Sequence, residues 1–178
     1  DHLRGGVLIE LPGANGKPAI SEQEACDRFG TADVLNPLSY NKAGAAVFCQ
    51  DMYTIADCLE VCKFITAHNS YGITLQDMTD MLNAITGMHL DSSEMRTIAN
   101  RVFTLERAFI TKFGIRKKDD MLEGKWAQGP VQGGRYSGAA LDPVQWEQML
   151  EQYYRLRGWD PSTGSPTPAT LRELELDD

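Results

Sequence analysis

The chain opens without a regular apolar period. Through residues 1–42, short apolar runs are broken by Gly5-Gly6, Pro12, Gly13, Gly16, Pro18 and Asn36-Pro37. Turn chemistry at this density predicts loops, with one short helix near Glu22–Phe29. A loop-rich stretch of this kind in a compact protein often faces a ligand. From Lys42 to about Thr66 the spacing becomes helical. One stripe is Phe48, Met52, Ile55, Leu59 and Cys62, and a second is Ala46, Cys49, Tyr53, Asp57, Val61 and Phe64. A helix apolar on two sides is expected to be buried, which puts Asp57 in an apolar row. A buried carboxylate needs an ion or hydrogen-bond partner, because leaving it bare costs several kcal/mol.

Beyond that helix the punctuation is regular. Thr74 caps a helix carrying Leu75, Met78, Leu82 and Ile85, which ends near Gly87. Asp91 or Ser92 caps the next, whose stripe is Met95, Ile98, Val102, Leu105, Phe109 and Phe113, with Gly114 placed to stop it. Residues 116–141 lose periodicity. Asp142-Pro143 then pairs a cap with an N1 proline ahead of Trp146, Leu150 and Tyr153, and Thr167-Pro168 repeats the signal before a short terminal helix. No strand alternation and no internal repeat is present. The expectation is an all-α, multihelical fold with a loop-rich N-terminal segment. It is read as a single helical domain over 1–178: a loop-rich, cofactor-facing segment (1–42), a helical core (43–115) and a loop with C-terminal helices (116–178).

Composition narrows the function classes. With 178 residues the chain is long enough to bury a core. The net charge of −8 argues against nucleic acid, which needs clustered Lys and Arg. The one dense basic run, Arg116-Lys117-Lys118, is followed by Asp119-Asp120 and reads as a solvated, self-neutralising turn. No apolar stretch reaches the ~20 residues of a membrane helix, and no signal peptide is visible. The start at Asp1 reads as that of a fragment or processed product. Four cysteines, Cys26, Cys49, Cys58 and Cys62, do not resemble a disulfide framework, so a reducing, cytoplasmic compartment is expected.

Candidate chemistry concentrates in Asp57-Cys58-Leu59-Glu60-Val61-Cys62-Lys63-Phe64. On a continuous helix, Cys58 and Cys62 share a face and can together touch a soft metal. Buried cysteines also serve as small hydrophobes, and that alternative stays open. An iron–sulfur site needs four thiolates, so a cluster here would borrow ligands from elsewhere. His2, His68 and His89 show no zinc-ligand spacing.

The order Asp57, Leu59, Cys62, Lys63, Phe64 resembles the Asp-Ser-Leu-Gly-Leu-Cys-Lys-Phe motif of the tungsten-containing aldehyde:ferredoxin oxidoreductases. Asp1-His2-Leu3-Arg4 is similar to that family's Asp-His-Leu-Arg. Asn36-Pro37-Leu38-Ser39-Tyr40 is similar to its Asp-Pro-x-Ser-Tyr. Leu105-Glu106-Arg107 with Phe109, then Arg116 to Asp120, resembles its Glu-Arg-x-Phe-Asn and Arg-x-Asp-Asp segments. The tail from Tyr153 to Asp160, with Gly164-Ser165-Pro166-Thr167, resembles its closing signature. The motifs run in order along nearly the whole chain.

The resemblance implies the C-terminal part of an enzyme that oxidises aldehydes to carboxylic acids and passes electrons to ferredoxin. It implies a tungsten (or molybdenum) bis-pterin cofactor beside a 4Fe-4S cluster. Three cluster cysteines would come from an upstream Cys-x-x-Cys-x-x-x-Cys, and the fourth from Cys62. Asp57 would hydrogen-bond a pterin, the backbone at Val61 would face one, and Arg4 and Lys17 would be further pterin or phosphate contacts. The implied partners are upstream domains of the same chain and ferredoxin, with homo-oligomerisation left open. Neither nucleic acid nor membrane is among them. Such a fragment is expected to be inactive alone.

Three positions depart from the family pattern. Glu60 stands where glycine is usual, Cys58 replaces a common serine, and Asn15 ahead of Lys17 matches a histidine near the metal. A negative side chain at Glu60 turned toward a cluster would lower its potential. Two other readings follow from the sequence: a tungsten-dependent aryl-CoA (benzoyl-CoA-type) reductase on the same scaffold, and a non-catalytic helical interaction domain.

Overall fold

Side-chain caps decide where most of the helices begin. The computed structural model describes residues 20–63, 73–122, 124 and 129–177. Among them are six α-helices: α1 (Glu22–Phe29), α2 (Ala43–Cys58), α3 (Leu75–Thr86), α4 (Ser92–Lys112), α5 (Pro143–Arg157) and α6 (Pro168–Glu173). Two 3-10 turns, Ala32–Leu35 and Lys117–Asp120, interrupt the connections. No strand ladder occurs among the described residues, only an isolated bridge between Trp159 and Pro166. The all-α expectation is met.

Ser21 caps α1 by accepting from the Glu24 N–H. Thr74 and Asp91 form reciprocal capping boxes at α3 and α4 with Asp77 and Glu94. Asp142 and Thr167 cap α5 and α6 ahead of N1 prolines. α2 has no side-chain cap at Lys42. Its stability therefore rests on packing.

α2 is the axis of the fold. It packs on α1, α4 and α5, while α3 packs on α4. Ala43, Ala45, Val47, Cys49, Met52, Tyr53, Ile55 and Ala56 are all buried, as expected of a helix apolar on more than one side. Gly44 lets α1 approach, because a Cβ there would stand 2.5 Å from the Phe29 carbonyl oxygen. One core cluster joins Met52, Tyr53 and Ile55 to Met78, Met95 and Ala99; another joins Leu150, Tyr154 and Trp159.

The buried carboxylate of α2 is Asp51, not Asp57. Asp51 is 2% exposed, whereas the Asp57 side chain is 64% exposed. The requirement for a partner holds at the residue that is buried. Arg157 Nη1 donates to Asp51 Oδ1 at 2.7 Å, and Arg96 reaches Oδ2 at 3.1 Å. Arg157 also donates to Asn100, Gln50 and the Val47 carbonyl, and its guanidinium lies 4.4 Å from the Phe103 ring centroid. This network ties the end of α5 to the middle of α2 and α4.

The run Arg116–Asp120 is a solvated turn only in part: Arg116, Lys118 and Asp119 are exposed, while Lys117 and Asp120 are half-buried. Asp120 accepts from Arg107 Nη1 at 3.0 Å and from the Tyr154 hydroxyl, while Lys117 pairs with Glu147 at 2.7 Å and Glu151 at 2.9 Å. Lys117 and Asp120 thus tie the run to α5, and Asp120 ties it to α4. Arg107 completes its set by donating to the Gly164 carbonyl at 2.7 Å.

On α4 the expected apolar stripe is only half buried. Met95 faces the core, but Leu105, Phe109 and Phe113 are 54%, 61% and 75% exposed. Thr104 and Arg107 take the inward positions instead. Both have polar partners, Trp159 Nε1 donating to Thr104 Oγ1 at 3.3 Å and Asp120 receiving Arg107.

Candidate functional site

The motif around Cys62 begins where α2 stops. The helix ends at Cys58, short of the extent to about Thr66 expected from periodicity. Three hydrogen bonds close the end: Leu59 N–H to the Ile55 carbonyl, Glu60 N–H to Asp57, and Val61 N–H to Ala56 at 3.0 Å. The last of these spans a left-handed residue, Glu60 at φ 56°. This is a Schellman stop with glutamate at the position that glycine usually takes. The α4 terminus shows the same arrangement with Gly114 at φ 95° and Ile115 N–H donating to the Ile110 carbonyl.

The stop separates the two cysteines. Cys58 is the last helical residue and Cys62 lies past the turn, so they do not share a helical face. Asp57, Cys58, Glu60, Val61 and Cys62 are all exposed. The helix body is buried while the motif that follows from it is presented outward.

Lys63 folds back across the turn. Its ammonium is 2.7 Å from Asp57 Oδ2 and 5.2 Å from the Tyr53 ring centroid, and its side chain is only 21% exposed. Asp57, Cys58 and Lys63 line one end of a cleft of about 280 Å³ between α2 and α4. Gln50, Tyr53 and Thr54 of α2 and Phe103 and Glu106 of α4 line it as well. Burial, then the carboxylates of Asp57 and Glu106, raises the Cys58 thiol above its ordinary range. Cys49, deeper in the same cleft, is pushed up to about 12 by burial and by Asp51. Neither thiol is primed as a thiolate by its surroundings.

Among the described residues, no group of three or more His, Cys, Asp or Glu side chains is placed to hold a metal ion. No described helix is long and apolar enough to cross a membrane. Of the residues expected from sequence to contact a cofactor, Asp57, Val61 and Cys62 fall together at one surface turn. Arg4 and Lys17 lie outside the described residues, as do Asn15 and Phe64. Sequence reasoning gave no role to Lys63 or Glu106. Lys63 was visible in the motif and Glu106 in the Glu106-Arg107 pair, but their meeting across one cleft depends on how α4 packs on α2.

Residues 1–176 match the family described as "Aldehyde ferredoxin oxidoreductase, domains 2 & 3". The chain belongs to the aldehyde ferredoxin oxidoreductase family. The tungsten-containing aldehyde ferredoxin oxidoreductase of Pyrococcus horikoshii is 31% identical over 142 residues, covering 79% of this chain and 22% of that protein. The protein of the same name from Pyrococcus furiosus is 30% identical over 140 residues, covering 78% of this chain and 22% of its own length. This chain thus spans about a fifth of the length of the curated relatives it matches. Among solved structures, the "Active site complex BamBC of Benzoyl Coenzyme A reductase in complex with 1,5 Dienoyl-CoA" aligns with a TM-score of 0.62 at 23% identity. It covers 80% of this chain and 20% of that one, and the likeness establishes a shared helical fold.

Proposed function

We propose that this chain is the C-terminal part of a tungstopterin, iron–sulfur aldehyde oxidoreductase and that it supplies one cluster ligand, Cys62, and one pterin contact, Asp57. The observation that carries the reading is the outward presentation of the motif. A buried helix ends in a hydrogen-bonded stop that exposes the Asp57 carboxylate in its last turn and the Cys62 thiol just past it. A ligand that completes a cluster held by other parts of a protein has to lie on the outer surface of its own unit.

The donor set fits the group. A cysteine thiolate is the usual ligand of a 4Fe-4S cluster. The Asp57 carboxylate is acceptor-only when ionised, with several lone-pair sites, and complements the amino and ring N–H groups of a pterin. Lys63 engages this carboxylate through Oδ2 at 2.7 Å. The backbone at Val61, 36% exposed, lies between the two.

When bound, the tungsten–pterin and cluster would supply the two-electron oxidation of an aldehyde, with water as the oxygen source and ferredoxin as acceptor. The chain's own residues bind and orient these groups, in keeping with the division of labour in cofactor enzymes. The upstream domains of the full protein would provide the remaining cluster cysteines. Arg4 and Lys17 are assigned to pterin or phosphate contact on the family pattern alone.

Metal analysis of the full-length protein tests the reading. Tungsten and iron are expected together, with aldehyde-dependent reduction of ferredoxin. A folded full-length protein isolated anaerobically with neither metal would overturn it. Assaying aryl-CoA thioesters beside aldehydes separates the two substrate classes that share the fold.

A further inference from the structure

Lys63 is held by two anchors that belong to α2. Its ammonium takes Asp57 Oδ2 at 2.7 Å and rests 5.2 Å from the ring centroid of the buried Tyr53. On the other side of Cys62, Val61 is fixed by its N–H bond to the Ala56 carbonyl. Cys62 therefore sits between two neighbours that are both pinned to the same helix. Lys63 is also the cation among the described residues lining the cleft, where Asp57 and Glu106 are the anions.

We propose that Lys63 is the positioning residue of this site, setting the direction of Cys62 through the backbone and fixing the Asp57 carboxylate through Oδ2. The proposal rests on the functional reading above and extends it to a side chain to which that reading gives no ligand role. A carboxylate has enough lone pairs to satisfy an ammonium on one oxygen and ligand N–H groups on the other. An ion pair with a partner this exposed adds little to stability, so its structural worth is small. Fixing the orientation of a metal-ligating side chain is where such an outer contact has large effects.

The test compares the full-length protein with its Lys63→Met and Lys63→Arg variants, reading tungsten and iron retention under chelator challenge, the EPR spectrum of the reduced cluster, and thermal unfolding. Lys63→Met is expected to lose metal on the order of tenfold faster than wild type, with a changed cluster spectrum and an unchanged fold. Lys63→Arg, which keeps charge and reach, is expected to restore both readouts. Wild-type retention and spectrum in Lys63→Met would overturn the proposal, and so would an equal loss in Lys63→Arg or a loss that merely tracks unfolding. If Lys63→Met does not fold, Lys63→Gln is compared with Lys63→Arg in the same way. A wild-type protein without tungsten and iron overturns the functional reading itself, which is a different outcome from metal-replete protein indifferent to Lys63.

Discussion

Arg157 at the end of α5 donates to Asp51 in the middle of α2 at 2.7 Å, and both residues are almost wholly buried. They are 106 positions apart in sequence. The pair locks α5 onto α2, the helix that ends just before Cys62. Removing one partner strands the other in a low-dielectric interior, so Asp51→Ala is expected to cost about 3–5 kcal/mol. Arg96→Met, which removes the half-exposed member of the network, is expected to cost about 1 kcal/mol or less. Urea unfolding followed by circular dichroism separates the two.

Glu60 occupies the left-handed stop of α2 that Gly114 occupies at α4. A side chain in that conformation is strained by roughly 1–2 kcal/mol, partly offset by the entropy that glycine loses on folding. Glu60→Gly is therefore expected to stabilise the chain by about 0.5–1 kcal/mol, read as a higher urea midpoint at unchanged slope. The exposed position of Glu60 makes this a backbone effect rather than one of packing.

This stop also marks where sequence reading failed and why. The apolar spacing continues through Leu59, Val61 and Cys62, and glutamate carries none of the signal that Gly87 or Gly114 gives at the other ends. Helix starts were legible because Thr74, Asp91, Asp142-Pro143 and Thr167-Pro168 act locally, within one turn. Asp51 and Asp57 could not be told apart locally, since each falls on an apolar helix and only the distant Arg157 makes burial of Asp51 tolerable. The inward faces of α4 were misassigned for the same reason. Thr104 and Arg107 are buried because Trp159 and Asp120 satisfy them, so Leu105, Phe109 and Phe113 are left outside. The candidate site was legible as a motif, while the Lys63–Asp57 pair and the part of Glu106 required the tertiary arrangement.

The thiols should separate by reactivity. Cys49 is 2% exposed and its thiol is raised to about 12, whereas Cys26, Cys58 and Cys62 are exposed. Native-state alkylation at pH 8 is expected to spare Cys49, with Cys58 slowed by its raised thiol, and peptide mass mapping reads the pattern. Because the folded-state value of Cys49 lies above its ordinary 9.0, its contribution to stability is fully present below pH 9. That contribution is lost progressively as pH rises from 9.0 to about 12, because the unfolded chain releases this proton first. Cys49→Ala should flatten the alkaline decline of the melting temperature.

Cys62, one exposed thiol past the end of α2, is proposed to complete an iron–sulfur cluster held by the rest of the protein. Iron content and reduced-state EPR of the full-length Cys62→Ser variant, beside Cys58→Ser, test it most directly. Cys58→Ser is expected to keep about four iron atoms per chain and the wild-type signal, while Cys62→Ser loses iron and the native 4Fe-4S spectrum. A folded Cys62→Ser protein with wild-type iron and an unaltered spectrum would contradict it.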